Sequence, residues 1–244
     1  MTAPLAEQAE GFANDLTKTV RAVVGAECPA FYAVALQQAN AFTVRQEPSD
    51  GITLCDRGGP ILRLTANYKC ILDGHGKYMA ISESLIHVFV EPDGREPLFR
   101  YEFDRNNTGK VPSAHIQFHG QHPELEAAMR ECGDSSERAK ARKRGRRQVY
   151  LHDLHFPVGG PRFRPALEDV LEMLIEEFGV KPVRSVRAAR KALADGREDW
   201  RRKQVATVVR DAPSRAAEAL RELDYEVIAP EPPKGDKPDK LRAL

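Results

Sequence analysis

Residues 61–72 read ILRLTANYKCIL, and the fold turns on their period of two. Leu62, Leu64, Ala66, Tyr68, Cys70 and Leu72 fall on one side; Arg63, Thr65, Asn67 and Lys69 fall on the other. Such alternation makes a strand with one buried and one wetter face. DGHG at 73–76 signals a turn, and KYMAISESLIHVFVEP returns as the antiparallel partner. After PDG at 92–94, LFRYEFD sets Phe99, Tyr101 and Phe103 against Arg100, Glu102 and Asp104. Beyond the loop NNTGKVPS, AHIQFHG sets Ile116 and Phe118 against His115, Gln117 and His119, and VYLHDLHFPV at 149–158 reads as a last strand. The pattern predicts an antiparallel meander of about five strands.

Helices flank this sheet in the sequence. Leu5, Ala9, Phe12, Leu16, Val20 and Val23 recur at steps of three or four, the stripe of an amphipathic helix, with Thr2 suited to its cap and Gly25 to its stop. Residues 26–50 stay open: AFYAVALQQANA suits a short helix, and FTVRQE after it suits a strand. Leu167, Val170, Leu171, Leu174, Ile175 and Phe178 predict a helix at 166–178 closed by Gly179. Residues 184–223 read as helical in two pieces broken near Asp211-Ala-Pro213, and the Pro- and charge-rich end from 229 reads as disordered. The expected class is therefore α+β. A core domain spans 1–180 with a basic insertion at 121–148, a helical extension spans 181–228, and a disordered tail spans 229–244.

Composition narrows the function classes. No apolar run approaches the roughly 18 residues of a membrane span. The four cysteines form no C-x-x-C pair, and the first residues lack an apolar leader core, so free thiols in a cytoplasmic protein are expected. Net charge is +1, yet residues 138–210 hold 19 Lys and Arg against 9 Asp and Glu. The excess includes seven basic residues in the ten positions 138–147. Arg142, Lys143, Arg144, Arg146 and Arg147 suit a phosphate backbone held by charge, without base reading. GGPRFRP before the 166–178 helix adds Arg162 and Arg164 as a second anion-binding candidate. There is no G-x-S-x-G elbow and no Walker-type Gly-Lys-Ser/Thr.

Five of the seven histidines lie between 115 and 155. If the strands around 100, 117 and 154 are neighbours, Arg100, Glu102, Gln117, His119, Asp153 and His155 converge on one sheet surface. Phosphodiester cleavage without a metal needs such a set: one histidine to take a proton from a 2′-hydroxyl, another to protonate the leaving oxygen, and a guanidinium for the developing charge. Asp153 is suited to fixing a histidine tautomer. His115 and His119 lie roughly 13 Å apart along a straight strand, so one must pair across strands, and His155 is the partner expected. His152 has the opposite parity unless a bulge intervenes. Strand geometry also spreads the histidines too far for an i, i+4 metal pair, so no metal site and no cofactor is expected.

LFRYEFD, a short loop, AHIQFHG, an aromatic strand and a closing helix together resemble the TumE-type toxins of bacterial toxin–antitoxin pairs, over about residues 60–178. Their "L-R-Y-D-N" strand is matched by Phe99, Arg100 and Tyr101, with Glu102 in place of the aspartate. Their "H-x-H" strand is matched by His115, with the next histidine, His119, two places late. The resemblance implies a cytosolic, toxin-like protein with a neutralising protein partner. The function expected is a nucleic-acid-directed protein, concretely a metal-independent ribonuclease; the alternative is a non-catalytic adaptor that binds protein or RNA.

Overall fold

A computed structural model describes residues 3–37, 40–74, 76–92, 94–106, 111–123, 126–127, 150–158, 160–183 and 185–242. Arg142, Lys143, Arg144, Arg146 and Arg147, with most of the basic insertion, lie outside the described residues, as does Thr2. The class is α+β as the sequence predicts, with more strands than the five expected. Eight strands join one antiparallel sheet: β1 (Phe31–Ala35), β2 (Ala41–Gln46), β3 (Ile52–Cys55), β4 (Pro60–Leu72), β5 (Met79–Val90), β6 (Pro97–Asp104), β7 (Ala114–Phe118) and β8 (Phe156–Pro157). Their order is β1-β2-β4-β5-β6-β7-β8, with β3 paired to β4.

Strand β4 is the sheet's long axis. β2 runs along one end of its edge (Ala41 opposite Ile71, Val44 opposite Tyr68) and β3 along the other (Ile52 opposite Leu64). Its buried residues are Leu62, Leu64, Ala66, Tyr68 and Cys70, the face predicted from alternation. The stretch left open is a β1–β2 hairpin, Phe31 opposite Gln46. Tertiary contact decides it: Phe31 is buried, and its N–H donates to Thr17 Oγ1 at 2.9 Å.

One face of the sheet carries the helices. Helix α1 (Leu5–Val24) buries Leu5, Ala9, Ala13, Leu16, Val20 and Val23, and Gly25 ends it at φ 94°. Four-residue α2 (Gly160–Phe163) precedes α3 (Leu167–Phe178), whose Leu167, Val170, Leu171, Leu174 and Ile175 are buried and whose Gly179 is left-handed, a conformation that costs glycine least. Helix α4 (Val186–Asp211) starts with Ser185 accepting from the Ala188 N–H. It is not set apart from the core at residue 180: its Ala189 and Leu193 are fully buried with Val20, Leu64 and Leu174. Helices α5 (Pro213–Glu222) and α6 (Pro238–Leu241) follow. Among the described residues no helix is long and apolar enough to cross a membrane.

The end read as disordered is tied back to α4 and α5. Asp236 accepts from the Ser214 N–H and hydroxyl, and the Lys237 N–H donates to the Asp211 carbonyl at 2.8 Å. Asp211, 4 % exposed, also holds Arg162 (2.7 Å) and Lys237 (3.5 Å) with its carboxylate. Asp211→Asn should therefore lower stability by about 2 kcal/mol, because charge-assisted bonds at a buried acceptor are lost. Urea unfolding measures the loss, and protease cutting near residue 236 should rise with it.

Candidate functional site

On the face opposite the helices, register places His87, Arg100, Glu102, His115 and Gln117 in lateral contact. His87 lies opposite Arg100, Arg100 opposite Gln117, and Glu102 opposite His115. Strands β6, β7 and β8 are neighbours, as convergence required. The segment before β8 supplies the cover. Residues Leu151–Asp153 form a 3₁₀ turn, not the strand expected across 149–158, and β8 is only two residues long. Asp153 causes the turn: its carboxylate accepts from the Tyr150 N–H at 3.0 Å, and its N–H donates to the Tyr150 carbonyl.

The turn cancels strand parity, and with it two expected roles. His152, set aside for its parity, stacks on His119 with ring centroids 4.8 Å apart and planes 18° from parallel; Tyr150 continues the stack at 5.2 Å and 12°. Asp153 uses its carboxylate to close the turn, and its carbonyl meets His155 at Nδ1, 3.2 Å away. Two ring contacts also form on this surface: His115 with His155, centroids 4.7 Å apart, and His119 with His152.

Gln117, 2 % exposed, is the hub. Its Oε1 accepts from Arg100 Nε at 2.6 Å, and its Nε2 donates to the His152 carbonyl (2.9 Å) and to His155 Nε2 (2.6 Å). An amide nitrogen can only donate, so this bond is made when His155 Nε2 is the bare nitrogen and Nδ1 carries the hydrogen toward the Asp153 carbonyl. His115 is bound differently. Its Nδ1 lies 2.9 Å from the Pro112 carbonyl and its Nε2 3.2 Å from Glu102 Oε2. Both neighbours accept, so the two bonds coexist only on a ring with hydrogen on both nitrogens.

Glu102 faces Arg100 at 3.3 Å, His115 at 3.2 Å and His87 at 3.6 Å, the last too long for a hydrogen bond. Burial by itself would raise the Glu102 carboxyl; His115, His87 and Arg100 outweigh it and hold the group well below the usual carboxylate range. His119 shifts the other way for a base: burial first, then the charges of Arg100 and His152, push its imidazole below the ordinary value. Its Nε2 is buried with no hydrogen-bond partner among the described residues.

The second anion-binding candidate does not form. Arg162 is committed to Asp211, and Arg164, 9 % exposed, lies over the rings of Phe103 (3.8 Å) and Trp200 (4.8 Å). The start of α3 is filled by its own acid, Asp169, which accepts from the Ala166 N–H. Among the described residues no group of three His, Cys, Asp or Glu side chains is placed to hold a metal ion. Sequence reasoning thus missed Tyr150 and His152; the signal was Asp153, three places after Tyr150, where an acid closes a turn. No family model, curated protein or solved structure matches the chain.

Proposed function

We propose that this protein acts on RNA as a toxin-like, metal-independent ribonuclease, and that the histidine surface is where it does so. The observation that carries the reading is His119 itself. Burial and the charges of Arg100 and His152 push its imidazole below the ordinary histidine value, and its Nε2 has no hydrogen-bond partner among the described residues. His119 would take the 2′-hydroxyl proton and Arg100 would steady the charge on phosphorus; His155, across Gln117 from it, would protonate the leaving oxygen once it has taken up a proton and its Nε2 has turned from Gln117 to the substrate. His119 lies two residues beyond Gln117, about 7 Å along the strand. The cover is light, since β8 contributes only the pairs His115–Pro157 and Ile116–Phe156. Its local opening is the step that admits substrate.

Two features support RNA as the substrate class. Tyr150 ends a stack of near-parallel rings and is 37 % exposed, so a nucleobase can extend the stack. The basic run 138–147 ends three residues before Tyr150, a distance of chain that spans at most about 11 Å. The resemblance to TumE-type toxins adds a neutralising protein partner, and the compartment that suits free thiols is the cytoplasm. Burial of His115 and Gln117 favours a second reading, in which the surface binds RNA without cutting it.

The test is cleavage of end-labelled RNA by the purified chain in EDTA, with His155→Ala beside it. Cutting that His155→Ala lacks supports the enzyme; RNA binding with no cutting moves the protein to the binding reading; neither result leaves the proposal without support. Tyr150→Ala should weaken RNA binding by about 1–3 kcal/mol, the usual worth of one stacked base, read by filter binding at fixed salt.

A further inference from the structure

We infer that a cavity on the helix side of the sheet, separate from the histidine surface, binds a small uncharged molecule with an apolar body and an amide-like head. The cavity is about 340 Å³ and lies between α1, the sheet, the start of α3 and α4. That size falls within the range of small-molecule sites. Phe12, Leu16, Ile86 and Trp200 supply apolar wall. Three polar side chains meet at its buried end: Tyr68, Glu168 and Arg164, 6 %, 8 % and 9 % exposed.

Tyr68 lines the cavity with its ring fixed edge-on to Phe12 at 5.1 Å. A ligand oxygen that accepts from the Tyr68 hydroxyl gains one hydrogen bond there. Glu168 Oε1 accepts from Thr19 Oγ1 at 3.0 Å, leaving Oε2 for a ligand N–H. The carboxyl fits there because α4 has no side chain at Gly196, where a Cβ would lie 2.8 Å from Oε1.

The charges choose the ligand. An acid and a guanidinium share the floor, and Asp15, Asp195 and Asp199 face Lys18 and Lys203 nearer the mouth. A cation entering meets Arg164 as well as Glu168, and an anion meets Glu168 as well as Arg164, so neither sign finds the cavity uniformly favourable. Burial also works against charge here: it raises the Glu168 carboxyl and lowers Arg164 to about 10. An amide edge, by contrast, gives an N–H to Glu168 and a carbonyl oxygen to the Tyr68 hydroxyl. The same donor–acceptor edge is found on simple carboxamides and on nucleobases.

Trp200 is the only tryptophan of the chain and lines the cavity, so its fluorescence reports occupancy directly. The full chain is titrated with benzamide, benzoate and benzylamine, which share a shape and differ in charge, and with cytosine to separate nucleobases from simple amides. Benzamide or cytosine should saturate the signal, with benzoate and benzylamine at least about 10-fold weaker, as unpaired buried charge requires. Tyr68→Phe, which keeps the ring and its packing, should weaken the best ligand about 5-fold, the worth of one hydrogen bond. Gly196→Ala should weaken it as well, with circular dichroism confirming that both variants are folded. Tightest binding by benzoate, no saturation by any of the four, or an unchanged affinity in Tyr68→Phe would overturn the inference. None of these results depends on RNA cleavage.

Discussion

Glu102→Ala is expected to lose about 3 kcal/mol of stability at neutral pH, and much less near pH 3. Removing one partner from a desolvated ionic cluster leaves the others uncompensated, which is why the cost exceeds that of a surface pair. Arg100, His87 and His115 all face this carboxylate, whose side chain is 21 % exposed. The pH dependence follows from the direction of its shift. The folded carboxyl binds its proton more weakly than the unfolded one, so the unfolded chain takes up protons first as pH falls. Glu102's contribution is fully present above its unfolded value of about 4.3 and is lost as pH falls toward the depressed folded value. Urea unfolding at pH 7, 5, 4 and 3 should show wild type and variant converging toward acid. A constant gap would mean that Glu102 acts through packing alone. Glu102→Gln separates the causes, since it keeps the shape and one acceptor while losing the charge.

How far this arrangement can be read from sequence depends on whether the information is local. The strict alternation of 61–72 and 98–104 names the buried face of β4 and β6, because one strand's parity is a local property. The steps of three and four in α1 and α3 do the same. The β1–β2 hairpin is not local: Phe31 is held by Thr17 from α1, and nothing within 26–50 shows it. The His115–Gln117 side of β7 illustrates a different gap. Parity places His115, Gln117 and His119 together, but it cannot say that a turn at 151–153 folds over them, and so a face read as wet is buried. Arg162 and Arg164 look free in GGPRFRP because their partners, Asp211 and the rings of Phe103 and Trp200, are tens of residues away. Glu168 was legible and passed over. It shares a helix face with Leu171 and Ile175, and an acid on an apolar stripe is a mark of a lined cavity or a buried bond.

His119→Ala is expected to reduce RNA cleavage about 100- to 10,000-fold, the usual worth of a positioned general base, with RNA affinity little changed. On the proposed function, affinity would come from phosphate contacts and from a base stacked on Tyr150, and the variant keeps Tyr150 and every cation. The pH profile adds a signature that loss of structure would not produce. Because burial and the charges of Arg100 and His152 lower the His119 value, the unprotonated base persists below the ordinary histidine range. The acid limb of kcat/KM should therefore fall below about 6.5 in the wild-type protein. The same shift is a stability statement. The unfolded chain takes a proton at the ordinary value while the folded chain does not, so His119's contribution holds above that value and is lost as pH falls toward the folded one. Urea unfolding of His119→Ala should lack this part of the acid dependence. Single-turnover cleavage in EDTA across pH 5–8 measures the rate, and equal rates in wild type and His119→Ala would remove His119 from the chemistry. An equal loss in His152→Ala would show that the stack, rather than proton transfer, is what His119 supplies.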